Sequence, residues 1–339
     1  MSIGTDKAPT RKISEVNGRW AAAMLLAAGL QAGASFLPGA GLAHSAETAA
    51  PGCTAQAELT EIAPGAFVRK GATALPDPAN RGAIANTGFI VGSESVAVID
   101  TGGSLCDGAA LREAIRARTA LPVKTVINTH VHPDHIFGNA AFAGPGVAIL
   151  AHRNLPRALT ERGEHYLRSY SEQAGSVAME GTKLVPPTEL VQDRTQIDLG
   201  GRVIIVEARP AAHTDNDLTV FDQTSGTLWT GDLVFLDHVP VLDGSLKGWL
   251  SLTETLMRHE AKQIVPGHGP AAAPWPAAGE NQLRYLQRLA SDLRQSIGAG
   301  KGIRDAVQAA GSSESSNWQL FDSFNTRNAT AGFAELEWD

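Results

Sequence analysis

The sequence predicts an α/β protein in which two β-sheets pack together with helices outside. Two observations predict this architecture: short β-rich runs come before any helix, and strand groups and helices then recur in two similar rounds. A third observation bounds its size. A chain of 339 residues with 43% apolar content can bury one large core, and its 35 glycines point to many turns rather than long helices.

The first round opens with "GAFVRKG" (65–71), "NTGFIVGS" (86–93) and "SVAVIDTGG" (95–103). Gly, Ser and Asn separate these runs, so they read as a meander of antiparallel strands. Leu111, Ala114, Ile115 and Arg118 follow at i, i+3, i+4, i+7 spacing, which predicts a helix with a snorkelling arginine at its end. "VKTVINTH" (123–130) is the next strand, and 153–185 reads as a mixture of helix and loop. The second round has strands at "RVIIVEA" (202–208), "LTVFD" (218–222) and "TLWTGDLVF" (227–235). "GWLSLTETLMRH" (248–259) reads as helix and "KQIVPGHG" (262–269) as strand into loop. Leu283, Leu286, Leu289, Leu293 and Ile297 then mark an amphipathic helix.

The amino terminus reads as an export signal. After a stretch carrying Lys7, Arg11, Lys12 and Arg19 comes "WAAAMLLAAGL", too short to span a bilayer, and Gln31 and Pro38 then break the apolar run. "GLAHSAE" offers small residues for cleavage after Ala43 or Ser45. Residues 1–45 are therefore expected to be a signal peptide and 46–339 a single periplasmic domain, with no stable membrane insertion after cleavage. The net charge of −7 argues against a nucleic-acid partner and leaves a small-molecule substrate. An oxidising compartment permits Cys53 and Cys106 to pair, with two unpaired thiols as the alternative.

The chemistry is concentrated in "THVHPDHIFGN" (129–139). Histidines two residues apart just beyond a strand can aim their imidazoles to one side of a turn, and a neighbouring aspartate and third histidine can serve a second ion. By chance this H-x-H-x-D-H pattern arises about once in two thousand such chains, so coincidence explains it poorly. His213 in "AAHTDND", Asp232 in "TGDLVF" and His268 in "PGHGP" add polar anchors, each expected in a loop directly after a strand-like run. Alone, each reads better as a turn or capping residue than as a ligand. In series, that reading weakens.

These residues, in this order, resemble the metallo-β-lactamase superfamily of αββα hydrolases, over about residues 58–270. The resemblance implies that His130, His132 and His213 hold one metal, that Asp134, His135 and His268 hold another, and that Asp232 bridges them. Asp100 in "VIDTGG" is expected to fix the histidine loop without binding metal. Two zinc ions per chain are expected, with iron as the alternative, since imidazole and carboxylate suit both. Such ions about 3.5–4 Å apart can share a hydroxide, which implies hydrolysis with Asp134 and Asp232 as the catalytic carboxylates.

Within the superfamily, the export signal together with "GAFVRKG", "NTGFIVGSESVAVIDTGGS", "INTHVHPDHIFGNAAF" and "DGSLKGWL" is similar to the quinoprotein relay system zinc metallohydrolases, periplasmic relatives of SoxH. That similarity implies a functional link to a quinoprotein dehydrogenase and leaves an ester, thioester, lactone or amide-like substrate open. A class B3-like β-lactamase and a non-catalytic metal-binding accessory are the competing readings. Asp232 argues against the first, because β-lactamases with this motif usually lack the bridging aspartate. The stretch 235–250 should lie beside the metals, making His238, Lys247 and Trp249 candidate substrate contacts. Their alternatives are a solvated loop histidine, a surface lysine and a core tryptophan, and His152 reads as structural.

Overall fold

A computed structural model describes residues 58–338. The expected signal peptide and Cys53 lie outside the described residues, whereas Cys106 is disulfide-bonded. Among the described residues, no helix is long and apolar enough to cross a membrane.

The chain forms β1 (Thr60–Ala63), β2 (Ala66–Arg69), β3 (Thr87–Val91), β4 (Val96–Ile99), α1 (Leu105–Arg116), β5 (Val123–Ile127), α2 (Pro133–Ile136), β6 (Ala148–His152), α3 (Leu155–Ala174) and β7 (Glu189–Val191). These strands lie side by side in sequence order, antiparallel through β4 and parallel from β4 to β7. The second sheet is built from β8 (Arg194–Asp198), β9 (Val203–Ala208), β10 (Leu218–Asp222), β11 (Thr227–Phe235), then α4 (Leu246–Leu256), β12 (Gln263–His268) and β13 (Ala273–Pro274). Its order is β13-β12-β11-β10-β9-β8, with only β11 and β12 parallel. Helices α5 (Glu280–Gly298), α6 (Ile303–Ala309) and α7 (Phe321–Leu336) end the chain.

Strand periodicity explains the layering. In β4, Ala97 and Ile99 face the other sheet, where they join Val68, Ile90 and Ile127 against Val206, Val220 and Trp229. Val96 and Val98 point the opposite way and pack with Leu111 and Ile115 of α1. The outer face of the second sheet is covered by α4, α5 and α7 through Leu246, Trp249, Tyr285, Leu289 and Phe333. Two mixed sheets are thus sandwiched between helices, as expected. Ser104 caps α1 by accepting from the Asp107 N–H at 3.2 Å, a contact of a type that contributes about 1 kcal/mol.

The stretch 153–185 is helix followed by loop, as expected. The stretch read as helix mixed with loop contains the 20-residue α3. Its buried positions Leu155, Leu159, Tyr170 and Ala174 are diluted by charged neighbours, which blurs the helical period.

Arg202 ties the far edges of the two sheets together. Its guanidinium donates to Asp222 at 2.5 and 3.2 Å and to the carbonyls of Pro64 and Val91 at 2.9 and 3.0 Å. Asp222 is fully buried, and the arginine keeps its carboxyl below the usual carboxylate range despite that burial. An Asp222→Ala change leaves the buried guanidinium unpaired and is expected to cost about 3 kcal/mol or more. Urea unfolding would show this as a lower midpoint, and an unchanged midpoint would remove Arg202 from the structural role assigned here.

Candidate metal centre

The histidine loop is shaped by its own sequence. β5 ends at Ile127, and His132 is extended (φ −68°, ψ 149°) because Pro133 follows it and opens the single turn of α2. Asp134 and His135 therefore sit in the first turn of a helix that starts at the strand end. Asp100, at the end of the adjacent parallel strand β4, adopts φ 55°, a left-handed conformation that aspartate tolerates better than most residues. Its carboxylate accepts from the Thr129 N–H at 2.8 Å, the Thr129 hydroxyl at 2.7 Å and His135 Nδ1 at 2.7 Å. One buried carboxylate thus holds both ends of the turn.

The other donors arrive from the second sheet. His213 lies in the β9–β10 connection, and His268 is the last residue of β12. Asp232 lies within β11 rather than after it, where an irregularity in the β11–β12 register re-aims the strand. Two glycines make room. At Gly267 a Cβ would fall 1.7 Å from Asp232 Oδ1, and at Gly231 (φ 51°) it would strike the Thr129 side chain at 2.6 Å.

Seven side chains converge into two groups of potential metal ligands: His130, His132, His213 and Asp232; and Asp134, His135 and His268. Within the first, His132 Nδ1 lies 3.1 Å from His130 Nε2 and 3.0 Å from His213 Nε2. Asp232 borders both groups. Its Oδ2 is 3.7 Å from His130 Nε2, 3.5 Å from His213 Nε2 and 3.4 Å from His268 Nε2, while Oδ1 is 3.1 Å from His135 Nε2.

These residues fit a metal by a test internal to the structure. Every inward imidazole nitrogen has its outward partner engaged: His130 Nδ1 with the Thr129 hydroxyl (3.1 Å), His132 Nε2 with Asp243 (3.1 Å), His135 Nδ1 with Asp100, His213 Nδ1 with the Val241 carbonyl (2.6 Å) and His268 Nδ1 with the Ile84 carbonyl (3.0 Å). Such partners fix ring orientation and tautomer for a ligand. The inner nitrogens then face one another, and His135 Nε2 and Asp232 Oδ1 are buried without a hydrogen-bond partner. They are close enough for charge attraction but are not aligned to share a proton. A cation satisfies such atoms.

Burial drives His130 well below its ordinary pKa and His213 down to about 3. Burial opposes charge on His135 and His268 too, but Asp232 first among the nearby carboxylates outweighs it, holding His135 well above the ordinary value and His268 up at about 9. Asp232 is pushed up by burial and pulled further down by His135, His268 and His130, so it remains ionised; Asp134 is held at about 2.

The remaining sequence candidates divide. His238 lines the cavity of about 230 Å³ above the donors, and its ring lies 4.9 Å from that of His268. Trp249 is not a cavity residue: it is fully buried, donates from Nε1 to the Leu233 carbonyl at 2.9 Å and packs behind His213 at 5.5 Å. Lys247 is exposed on α4 and does not line the cavity. Both corrections have one cause. The 235–250 segment crosses the site only through its first half, then turns into α4, whose buried face belongs to the core. His152 is structural, with Nδ1 accepting from the Asn154 N–H at 3.1 Å. Sequence reasoning missed Asp243, which lies within the quoted "DGSLKGWL" but has no local pattern to mark it as the partner of His132.

The fold and this donor set define a two-sheet α/β sandwich with a candidate metal centre at its edge. Residues 80–268 match the profile of the Metallo-beta-lactamase superfamily, and the chain belongs to that superfamily. Among solved structures it is similar to the sec-alkylsulfatase Pisa1 from Pseudomonas sp., with a TM-score of 0.65 and 16% identity over 83% of this chain and 50% of that one. This chain thus spans about half the alkylsulfatase's length. A metallo-β-lactamase from Pontibacter korlensis gives a TM-score of 0.53 and 22% identity over 68% of this chain and 99% of that one. FIM-1 from Pseudomonas aeruginosa, in a mono-zinc form, gives 0.53 and 18% over 69% and 96%. No curated protein matches the chain significantly.

Two outcomes are expected. Asp243→Asn should weaken zinc binding at the His130, His132 and His213 group about 10- to 100-fold in a chelator competition, because it removes the charge that orients His132. Zinc uptake by the Asp134, His135 and His268 group should tighten as pH rises towards about 9, because the ion must displace the His268 proton. Calorimetry in buffers of differing ionisation enthalpy would reveal that proton release, and pH-independent uptake would contradict it.

Proposed function

We propose that the chain is an exported hydrolase in which His130, His132 and His213 hold one divalent cation, Asp134, His135 and His268 hold a second, and Asp232 touches both. Zinc is the proposed metal, with iron as the alternative for the same donors. The observation that carries this reading is the convergence of seven donors, five of them imidazoles whose outward nitrogens are tied by hydrogen bonds. A cation pair supplies Lewis acidity towards an acyl, phosphoryl or sulfuryl oxygen and makes water acidic enough to act as a nucleophile at neutral pH.

The chain's own residues do the positioning. Asp134 offers a buried carboxylate to the group that it shares with His135 and His268. Asp232 presents two oxygens in different directions, as a shared ligand must. Leu75, Tyr166, Tyr170 and Phe324 line the cavity beside the donors. His238 donates from Nδ1 to the Val239 carbonyl at 2.9 Å, which fixes its ring as a candidate substrate contact.

The proposed substrate is a small ester, thioester, lactone or amide-like molecule, and the proposed setting is the periplasm, in association with a quinoprotein dehydrogenase. Support for the setting comes from the apolar amino-terminal run and the motif segments quoted above. A class B3-like β-lactamase is the second reading, favoured by the near-complete overlap with two β-lactamase structures. The carboxylate at Asp232 weighs against it. The complete donor set likewise favours catalysis over a non-catalytic accessory.

Metal analysis, combined with lactams, lactones, thioesters, phosphodiesters and alkyl sulfates as substrates, tests the proposal. Weak turnover of penicillins and carbapenems is expected; a catalytic efficiency near 10⁴ M⁻¹s⁻¹ or above would establish the second reading. Asp232→Ala should bind fewer than two metals per chain and lose hydrolysis while still melting cooperatively. Two metals and near-normal turnover in that variant would exclude Asp232 as the shared ligand.

A further inference from the structure

The rim of the cavity carries a feature that the metal chemistry does not use. Asp243 receives three donors: His132 Nε2 at 3.1 Å, Arg327 Nη2 at 3.0 Å and Arg162 Nη1 in a closer contact. Arg162 comes from α3 and Arg327 from α7, so a single carboxylate draws two helices together beside the donor cluster. One negative charge faces two guanidinium groups, leaving an excess of one positive charge.

Both arginines remain open to a ligand. Their side chains are 44% and 56% exposed, and each guanidinium has five N–H donors, of which Asp243 can engage only some. Among the described residues lining the cavity, Arg327 is the sole arginine or lysine. Asp134 and Asp232, the acidic residues of the lining, are already surrounded by imidazoles. The same cavity has an apolar part to its lining, with Leu75, Pro76, Leu320 and Phe324. In a chain of net charge −7, a cationic rim above an apolar wall is a local exception to the general charge.

We infer that Arg327, supported by Arg162, binds the anionic group of the substrate, and that the substrate is an organic monoanion, a carboxylate with a short apolar body. The inference rests on the hydrolase reading and narrows its substrate class. One carboxylate and one imidazole separate Arg327 from the inward nitrogens. The anionic group therefore stands a few bonds from the scissile bond, with the apolar body on the Leu75 and Phe324 wall. Planar guanidinium groups recognise carboxylates through paired N–H donors, and the excess of one charge suits one such anion rather than a polyanion. Arg327 lies beyond residues 80–268, so the superfamily match does not assign it.

The test compares two esters on zinc-loaded protein: the mono-para-nitrophenyl ester of glutaric acid, which is anionic, and para-nitrophenyl pentanoate, which is neutral and of similar length. Wild type should prefer the anionic ester, and Arg327→Leu should lower that preference about tenfold or more, through KM, as expected for loss of a charge-assisted hydrogen bond. Arg327→Lys should fall between, since it restores the charge without the fork. Zinc content and circular dichroism confirm that each variant is loaded and folded. A preference for the neutral ester in wild type, or one unchanged by Arg327→Leu, overturns the inference.

If zinc-loaded wild type hydrolyses neither ester, the decision passes to pentanoate binding measured by calorimetry. Affinity about tenfold weaker in Arg327→Leu then supports the anion site independently of the hydrolase reading, and equal affinity in the two proteins rejects it.

Discussion

A carboxylate buried inside a β-sheet is the constraint on which the site depends. Asp232 is 4% exposed, and burial alone would protonate it. Imidazoles from the histidine loop, the β9–β10 connection and the end of β12 surround it instead, and His135, His268 and His130 keep it ionised. The arrangement continues outward through His135 to Asp100 and from there to Thr129. Each acidic group is compensated by the next basic or donor group, which makes the network mutually dependent.

Topology explains why these groups meet at one edge of the sandwich. β4 runs parallel to β5, and β11 runs parallel to β12, so each pair ends on the same side. Asp100 and the histidine loop extend from the first pair, and Asp232 and His268 come from the second. Strand ends anchored in a close-packed core hold donors more tightly than a free loop would. The close approach of β11 to β12 at Gly231 and Gly267 is part of the same geometry, because a side chain at either position would displace Asp232 or Thr129.

Floor and rim of the cavity come from different parts of the chain. The donors all lie within the matched superfamily region, whereas Leu320, Phe324 and Arg327 belong to or border α7, after that region ends. The donors are therefore placed by the sandwich edge, and the rest of the cavity lining comes largely from α3, α7 and the loop bearing Leu75 and Pro76. Asp243 links the two levels, since it orients His132 on one side and holds both arginines on the other.

The sequence by itself determined the chemical type of the site and most of the strand pattern. H-x-H-x-D-H is a dense local signal, and alternation such as that in Val96–Ile99 repeats over a period short enough to read directly. Asp100, His213, Asp232 and His268 were legible as an ordered series, although each is unremarkable alone. Helix α3 was legible only as part of a mixed stretch of helix and loop, because charged residues interrupt its apolar face. Only the tertiary structure decided that Trp249 belongs to the core, that Lys247 lies outside the cavity, and that Asp243 meets Arg162 and Arg327, which lie 81 and 84 positions away. Local spacing encodes which atoms a segment can offer, whereas facing partners and net rim charge depend on where distant segments are brought together by packing.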